Sequence, residues 1–199
     1  MNKAWWMIPL FAAMVLAQWW VPVDMITGSN RILEEGIPMK FRCAPVDPND
    51  PFRGKYIVLD FDISRYNYQT DTSSGFKNGQ QVYLELIEDS LGFARIYKID
   101  TDPPMSGKVY LNAGIDFIQH EVGISGYNND SSYYEISFDL PFRRFYLEES
   151  KAPVAEDLYR TGISDTTGRT YGLVYLLNGE ARIKDVIIRD TSILERLRR

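Results

Sequence analysis

Residues 170–189 read TYGLVYLLNGEARIKDVIIR: two apolar runs, Thr170–Leu177 and Glu180–Arg189, on either side of Asn178-Gly179. Both central residues of a type I′ turn need positive φ, which Asn and Gly accept at least cost, so this pair predicts a β-hairpin. The same pattern recurs upstream. Ile37, Met39, Phe41 and Cys43 alternate with Pro38, Lys40 and Arg42, the period of a half-buried strand. Lys55 to Ile63 sets Ile57, Leu59, Phe61 and Ile63 on one face and Tyr56, Val58, Asp60 and Asp62 on the other. Gln81–Glu88 and Phe93–Asp100 form an expected hairpin about Asp89-Ser90-Leu91-Gly92, followed by strands over Val109–Ala113, Asp116–Ile124, Tyr133–Leu140 and Arg143–Glu148. Tyr66–Gln80 reads as a long polar loop, and the prolines of Asp47-Pro48-Asn49-Asp50-Pro51 and Asp102-Pro103-Pro104 mark turns that no ladder continues through. A helix is expected over Ala152–Arg160, with Pro153 in its first turn and Glu156 and Asp157 near its positive end.

The composition agrees. Thirteen Tyr and ten Phe favour a pleated, half-buried surface, and 45% apolar with 25% charged residues argues for a packed domain. The net charge of −5 with dispersed acidic residues provides no footprint for nucleic acid. One cysteine, Cys43, excludes an internal disulfide; at an alternating strand position it reads as a buried structural thiol.

Ala4 to Val23, AWWMIPLFAAMVLAQWWVPV, carries no charge and is long enough to cross a bilayer as a helix. Lys3 precedes it, so the N-terminus is expected in the cytoplasm and the rest of the chain outside. Val15-Leu16-Ala17 offers the alternative of a cleaved signal peptide. Trp5-Trp6 and Trp19-Trp20 bracket the segment as an interfacial aromatic belt would, which favours a retained anchor. The expected organisation is an anchor over 1–23, a juxtamembrane linker or short helix over 24–36, a β domain over 37–191 and a tail over 192–199 that frays from a helix. The fold class is mostly β (α+β): an antiparallel β-rich domain with one or two short helices, behind a single transmembrane helix.

Pro45 to Phe61, PVDPNDPFRGKYIVLDF, is similar to the signature of a bacterial membrane-anchored family named after its motif, Gly-Asp-Tyr-x-x-Leu-x-Tyr, typically preceded by Asp-Pro-x-Asp and Arg. Gly54, Tyr56 and Leu59 match; Lys55 replaces the family's Asp and Phe61 its last Tyr. Arg144-Phe145-Tyr146-Leu147-Glu148-Glu149 before a short helix, and the closing hairpin, resemble the family's C-terminal half. The resemblance implies an N-terminal membrane segment and an envelope-facing domain, and brings no activity with it. Read physically, the prolines fix a corner, Asp47 and Asp50 can bond turn amides, and Gly54 permits a bend. Leu59 and Phe61 share a core face while Tyr56 points the other way; Arg53, Tyr56 and Asp60 would form any recognition surface.

No catalytic, cofactor or metal set emerges. His120 is the sole histidine and has no second imidazole or thiolate cluster beside it. No nucleophile elbow supplies a serine, and Ser29 lacks the context of a Ser-Lys protease. Asp60 with Asp62, Asp100 with Asp102, and Asn128-Asn129-Asp130 fit no complete calcium loop, and no Gly-rich phosphate loop precedes a helix. The sequence therefore favours a non-catalytic interaction or structural module for an envelope or membrane protein partner. The alternative is a hydrolase or carbohydrate-binding module using Asp60 and Asp62.

Overall fold

The computed structural model describes residues 7–44, 56–69, 75–123, 131–148, 150–163 and 170–198. In chain order the elements are α1 (Met7–Glu35), β1 (Ile37–Ala44), β2 (Tyr56–Val58), β3 (Asp60–Phe61), β4 (Arg65–Gln69), β5 (Gln81–Glu88), β6 (Ala94–Asp100), β7 (Tyr110–Gly123), β8 (Ser131–Asp139), β9 (Arg144–Tyr146), α2 (Ala152–Ile163), β10 (Thr170–Leu177), β11 (Glu180–Ile188), β12 (Thr191–Ser192) and α3 (Ile193–Arg196). One sheet has the order β12-β11-β10-β1-β3, a second β4-β8-β7-β5-β6, and β2 pairs with β9 in a third. Among the described residues every ladder is antiparallel, with two isolated parallel bridges, Lys40–Phe93 and Leu111–Gly179. The inner faces share one core: Phe41, Val174 and Val186 of the first sheet and Leu84, Leu111 and Ile136 of the second belong to a single hydrophobic cluster. The expected antiparallel, β-rich class is what forms.

The hairpin that began the sequence reading closes as expected, with Asn178 at φ 51° and Gly179 at φ 84°. Other boundaries move for physical reasons. The two strands expected on either side of Gly114 are one strand, β7, over Tyr110–Gly123, because a bulge between Ile115 and Phe117 absorbs the phase change instead of a turn. The expected loop from Tyr66 to Gln80 begins as β4, which pairs with β8. Residues 55–63 do not form one strand: the chain leaves β9 after Val58, joins β1 at Asp60, and ends in a 3-10 turn at Asp62–Ser64.

α1 changes the expected organisation most. The stretch 24–36, expected as a linker or a short helix, is helical through Glu35 and continuous with the apolar segment before it, with Pro22 inside the helix. Twenty-nine residues at the α-helical rise give a rod of about 43 Å, longer than a hydrocarbon core of about 30 Å. Its N-terminal apolar side chains, among them Leu10, Phe11, Leu16, Trp19 and Trp20, are exposed, and the helix is long and apolar enough to cross a membrane. At the other end Ile32 is 3% exposed where α1 packs on β10 and β11. Gly36 lets helix pass straight into strand: its amide donates to the Ile32 carbonyl at 3.0 Å, and a Cβ there would lie 2.2 Å from that oxygen. The tail is anchored too, since the Ser192 hydroxyl accepts from the Glu195 amide and caps α3.

Candidate functional site

The motif strand belongs to three sheets in turn. Tyr56, Ile57 and Val58 lie opposite Tyr146, Phe145 and Arg144; Asp60 and Phe61 lie opposite Ala44 and Cys43; after the 3-10 turn, β4 joins the second sheet. Leu59, at the crossing, donates its amide to the Arg143 carbonyl at 2.7 Å. Ile57, Leu59 and Phe61 are buried, as their shared phase requires. The Phe61 ring lies 6.1 Å from Phe41 and 5.2 Å from Phe142, edge-on to both, with Phe41 and Phe142 5.0 Å apart. Gly172 makes room for this cluster, because a Cβ there would approach a Phe61 ring carbon at 2.9 Å.

Tyr56 points away from that core. Its ring meets Tyr146 at 5.6 Å, and the Arg144 guanidinium lies 5.4 Å from its centroid. Both tyrosines border a groove of ≈ 880 Å³ whose walls are Tyr56 and Val58 of β2, the residues from Asp139 to Tyr146, Ala181 to Lys184 of β11, and Leu194 of α3. Four of the lining residues are cationic, Arg143, Arg144, Arg182 and Lys184, and one, Asp139, is acidic. In a chain of net charge −5 this concentrates positive potential on one concave surface. Among the described residues Arg144, Arg182 and Lys184 meet no carboxylate. Lys184 instead lies over the Tyr175 ring, 5.0 Å from its centroid.

Asp60 is not on a solvated face as its alternation suggested. Its side chain is 16% exposed and faces the Arg143 guanidinium at 3.8 Å. Asp62 projects from the 3-10 turn at an exposed position, and partial desolvation with the Asp60 charge nearby raises its carboxyl above the ordinary range, Arg42 opposing. Neither carboxylate lines the groove. Behind them, Cys43 is half-buried, and burial pushes its thiol up to about 12. The buried Tyr159 hydroxyl faces that thiol and the Asp60 backbone without the geometry of a full hydrogen bond, and burial raises its pKa as well. The pair is a packed contact between α2 and β1, beside the motif strand.

Asp47, Asp50, Arg53 and Gly54, named from the motif, lie outside the described residues, as does the side chain of His120. Of the sequence-based candidates the structure brings Tyr56 to the groove, places Leu59 and Phe61 beneath it, and joins Asp60 to it through Arg143. The basic lining was not foreseen. Its members come from segments about 40 residues apart, and nothing in a linear pattern shows that two strand edges face each other. No group of three or more His, Cys, Asp or Glu suited to a metal occurs among the described residues.

The family described as GDYXXLXY protein matches the chain over residues 18–186. No curated protein and no solved structure matches it.

Proposed function

We propose that this chain, which belongs to the GDYXXLXY protein family, is a membrane-anchored module whose extracytoplasmic β domain binds an envelope or membrane protein partner without catalysing a reaction. The observation that carries this reading is the groove of ≈ 880 Å³ at the motif strand, with four cations, one acid and two tyrosines in its lining. Tyrosine and arginine give contact area and directed hydrogen bonds at low entropic cost, which suits protein recognition. The anchor supports the same reading. From Trp20 to Ile32 the helix, with Pro22 inside it, rises about 18 Å, a length that would carry the domain beyond the bilayer surface. Lys3 ahead of the apolar stretch supports the outward orientation.

The hydrolase reading through Asp60 and Asp62 has less behind it, because Asp60 is engaged by Arg143 and neither carboxylate reaches the groove. The test is affinity purification of the full chain from its own membranes, alongside the variant Arg182→Glu/Lys184→Glu. We expect a stoichiometric partner with the wild-type chain and its loss with the variant, at unchanged melting. Equal recovery with both chains would remove the groove from the account.

A further inference from the structure

Resting on that reading, we propose that the groove receives an acidic, extended segment of the partner, which adds as a β-strand between the free edges of β9 and β11. From Glu180 to Val186, β11 is paired with β10 alone, since β12 meets only Ile187 and Ile188. β9 is paired with β2 alone. Arg143 to Tyr146 and Ala181 to Lys184 line the groove as consecutive residues, as strands viewed edge-on do, while β2 contributes only its alternate positions Tyr56 and Val58, so its outer face continues the groove beside the β9 edge.

The backbone phase on both edges follows from the pairing. Leu59 donates to the Arg143 carbonyl, so Arg143 and Phe145 turn their polar groups toward β2. Arg144 and Tyr146 turn theirs away from β2, onto the open edge of β9. Across it, the two-residue turn at Asn178-Gly179 makes Leu177–Glu180 a hydrogen-bonded closing pair. Arg182 then faces β10, and Ala181 and Ile183 carry their amides and carbonyls on the open edge.

Two such edges can satisfy both sides of an inserted strand. An extended residue with its side chains occupies roughly 160 Å³, from a rise of about 3.3 Å and spacings of about 4.8 and 10 Å. The groove of ≈ 880 Å³ therefore holds a segment of roughly five residues. The charge chooses its composition: Arg144, Arg182 and Lys184 have no carboxylate of their own among the described residues. Acidic side chains on the inserted strand would supply one. Backbone amides and carbonyls left open along both edges are matched by another backbone and not by a lipid headgroup, which makes a peptide the occupant.

The probe is a ten-residue peptide of alternating Glu and Val, titrated against the full chain in nanodiscs. Two controls are twins N-methylated on alternate residues in either register; a third is phosphatidylglycerol vesicles. We expect the parent peptide to bind, with slowed amide exchange at Ala181 and Ile183. Each N-methylated twin, and the parent against Arg182→Glu/Lys184→Glu, should bind at least tenfold more weakly. Equal binding of the parent and both twins would leave an anion site and overturn strand addition, as would binding to the vesicles alone or self-association of the chain. No peptide binding alongside partner capture that still depends on Arg182 and Lys184 would overturn the strand and spare the groove. Loss of that dependence would remove both.

Discussion

Replacing Phe61 with alanine takes out a ring that is 1% exposed and makes edge contacts with Phe41 and Phe142. Truncation of a buried Phe costs about 3–5 kcal/mol, with the upper half reached where the walls cannot collapse into the void. Here one wall is Gly172, which has no side chain to move inward, and two aromatic pairs worth about 0.5–1.5 kcal/mol each are lost as well. The expected loss is therefore about 4 kcal/mol. With a urea slope of about 2 kcal/mol/M the midpoint should fall by about 2 M. Far-UV circular dichroism of the full chain in nanodiscs follows the sheet signal; tryptophan emission would not, because every Trp lies at or before position 20. The converse change makes the attribution specific. Gly172→Ala pushes a methyl to 2.9 Å from the ring and should cost about 1–3 kcal/mol. Much of that should be recovered when Phe61 is leucine. A Phe61→Ala chain within 1 kcal/mol of wild type, or Gly172→Ala and Phe61→Leu effects that simply add, would refute the packing argument.

Asp60→Asn removes the partial ion pair with Arg143, whose Nε is buried and already without a partner. A loss of about 1–2 kcal/mol is expected in the same urea titration, more than a solvated carboxylate would show. Asp62 behaves oppositely. Its carboxyl is raised, chiefly by partial desolvation, so folding favours the acid form; that contribution is present at low pH and lost as pH rises through the raised value. Asp62→Asn should accordingly raise the urea midpoint at pH 7, with the gain vanishing below about pH 4. Intact-mass measurement of the chain isolated from membranes should return an N-terminus ahead of Trp5; a chain beginning at Gln18 would mean that the apolar segment is a removed signal.

The parts of the fold legible in the sequence are those where one local rule decides. Asn178-Gly179 admits little besides a type I′ turn, and the alternation in 55–63 places Ile57, Leu59 and Phe61 inside whichever sheet they join. The identity of the partner strand is not local. A period of two is the same for a strand paired with β9 as for one paired with β1, so the crossing at Leu59 left no trace. β4 was hidden because Asn67 and Gln69 are loop-like residues and Tyr66 and Tyr68 are only half-buried. The sequence leaves 24–36 open between a linker and a short helix because Asp24, Arg31, Glu34 and Glu35 break hydrophobicity without breaking a helix; the Arg31–Glu35 pair supports the last turn of α1. Tyr56 was identified from its opposite phase. The cations around it were invisible because Arg143-Arg144 and Arg182 with Lys184 meet only through tertiary structure.

The groove's role is tested most directly by photo-cross-linking in native membranes. A benzophenone amino acid replaces Tyr146, 65% exposed at the groove, or Tyr97, 59% exposed and remote from its lining. Position 146 should yield one discrete adduct with a membrane or envelope protein, abolished by Arg182→Glu/Lys184→Glu, and position 97 should not yield that adduct. The same adduct from both positions, or one from 146 that survives the charge reversal, would contradict the assignment of this groove as the partner's seat.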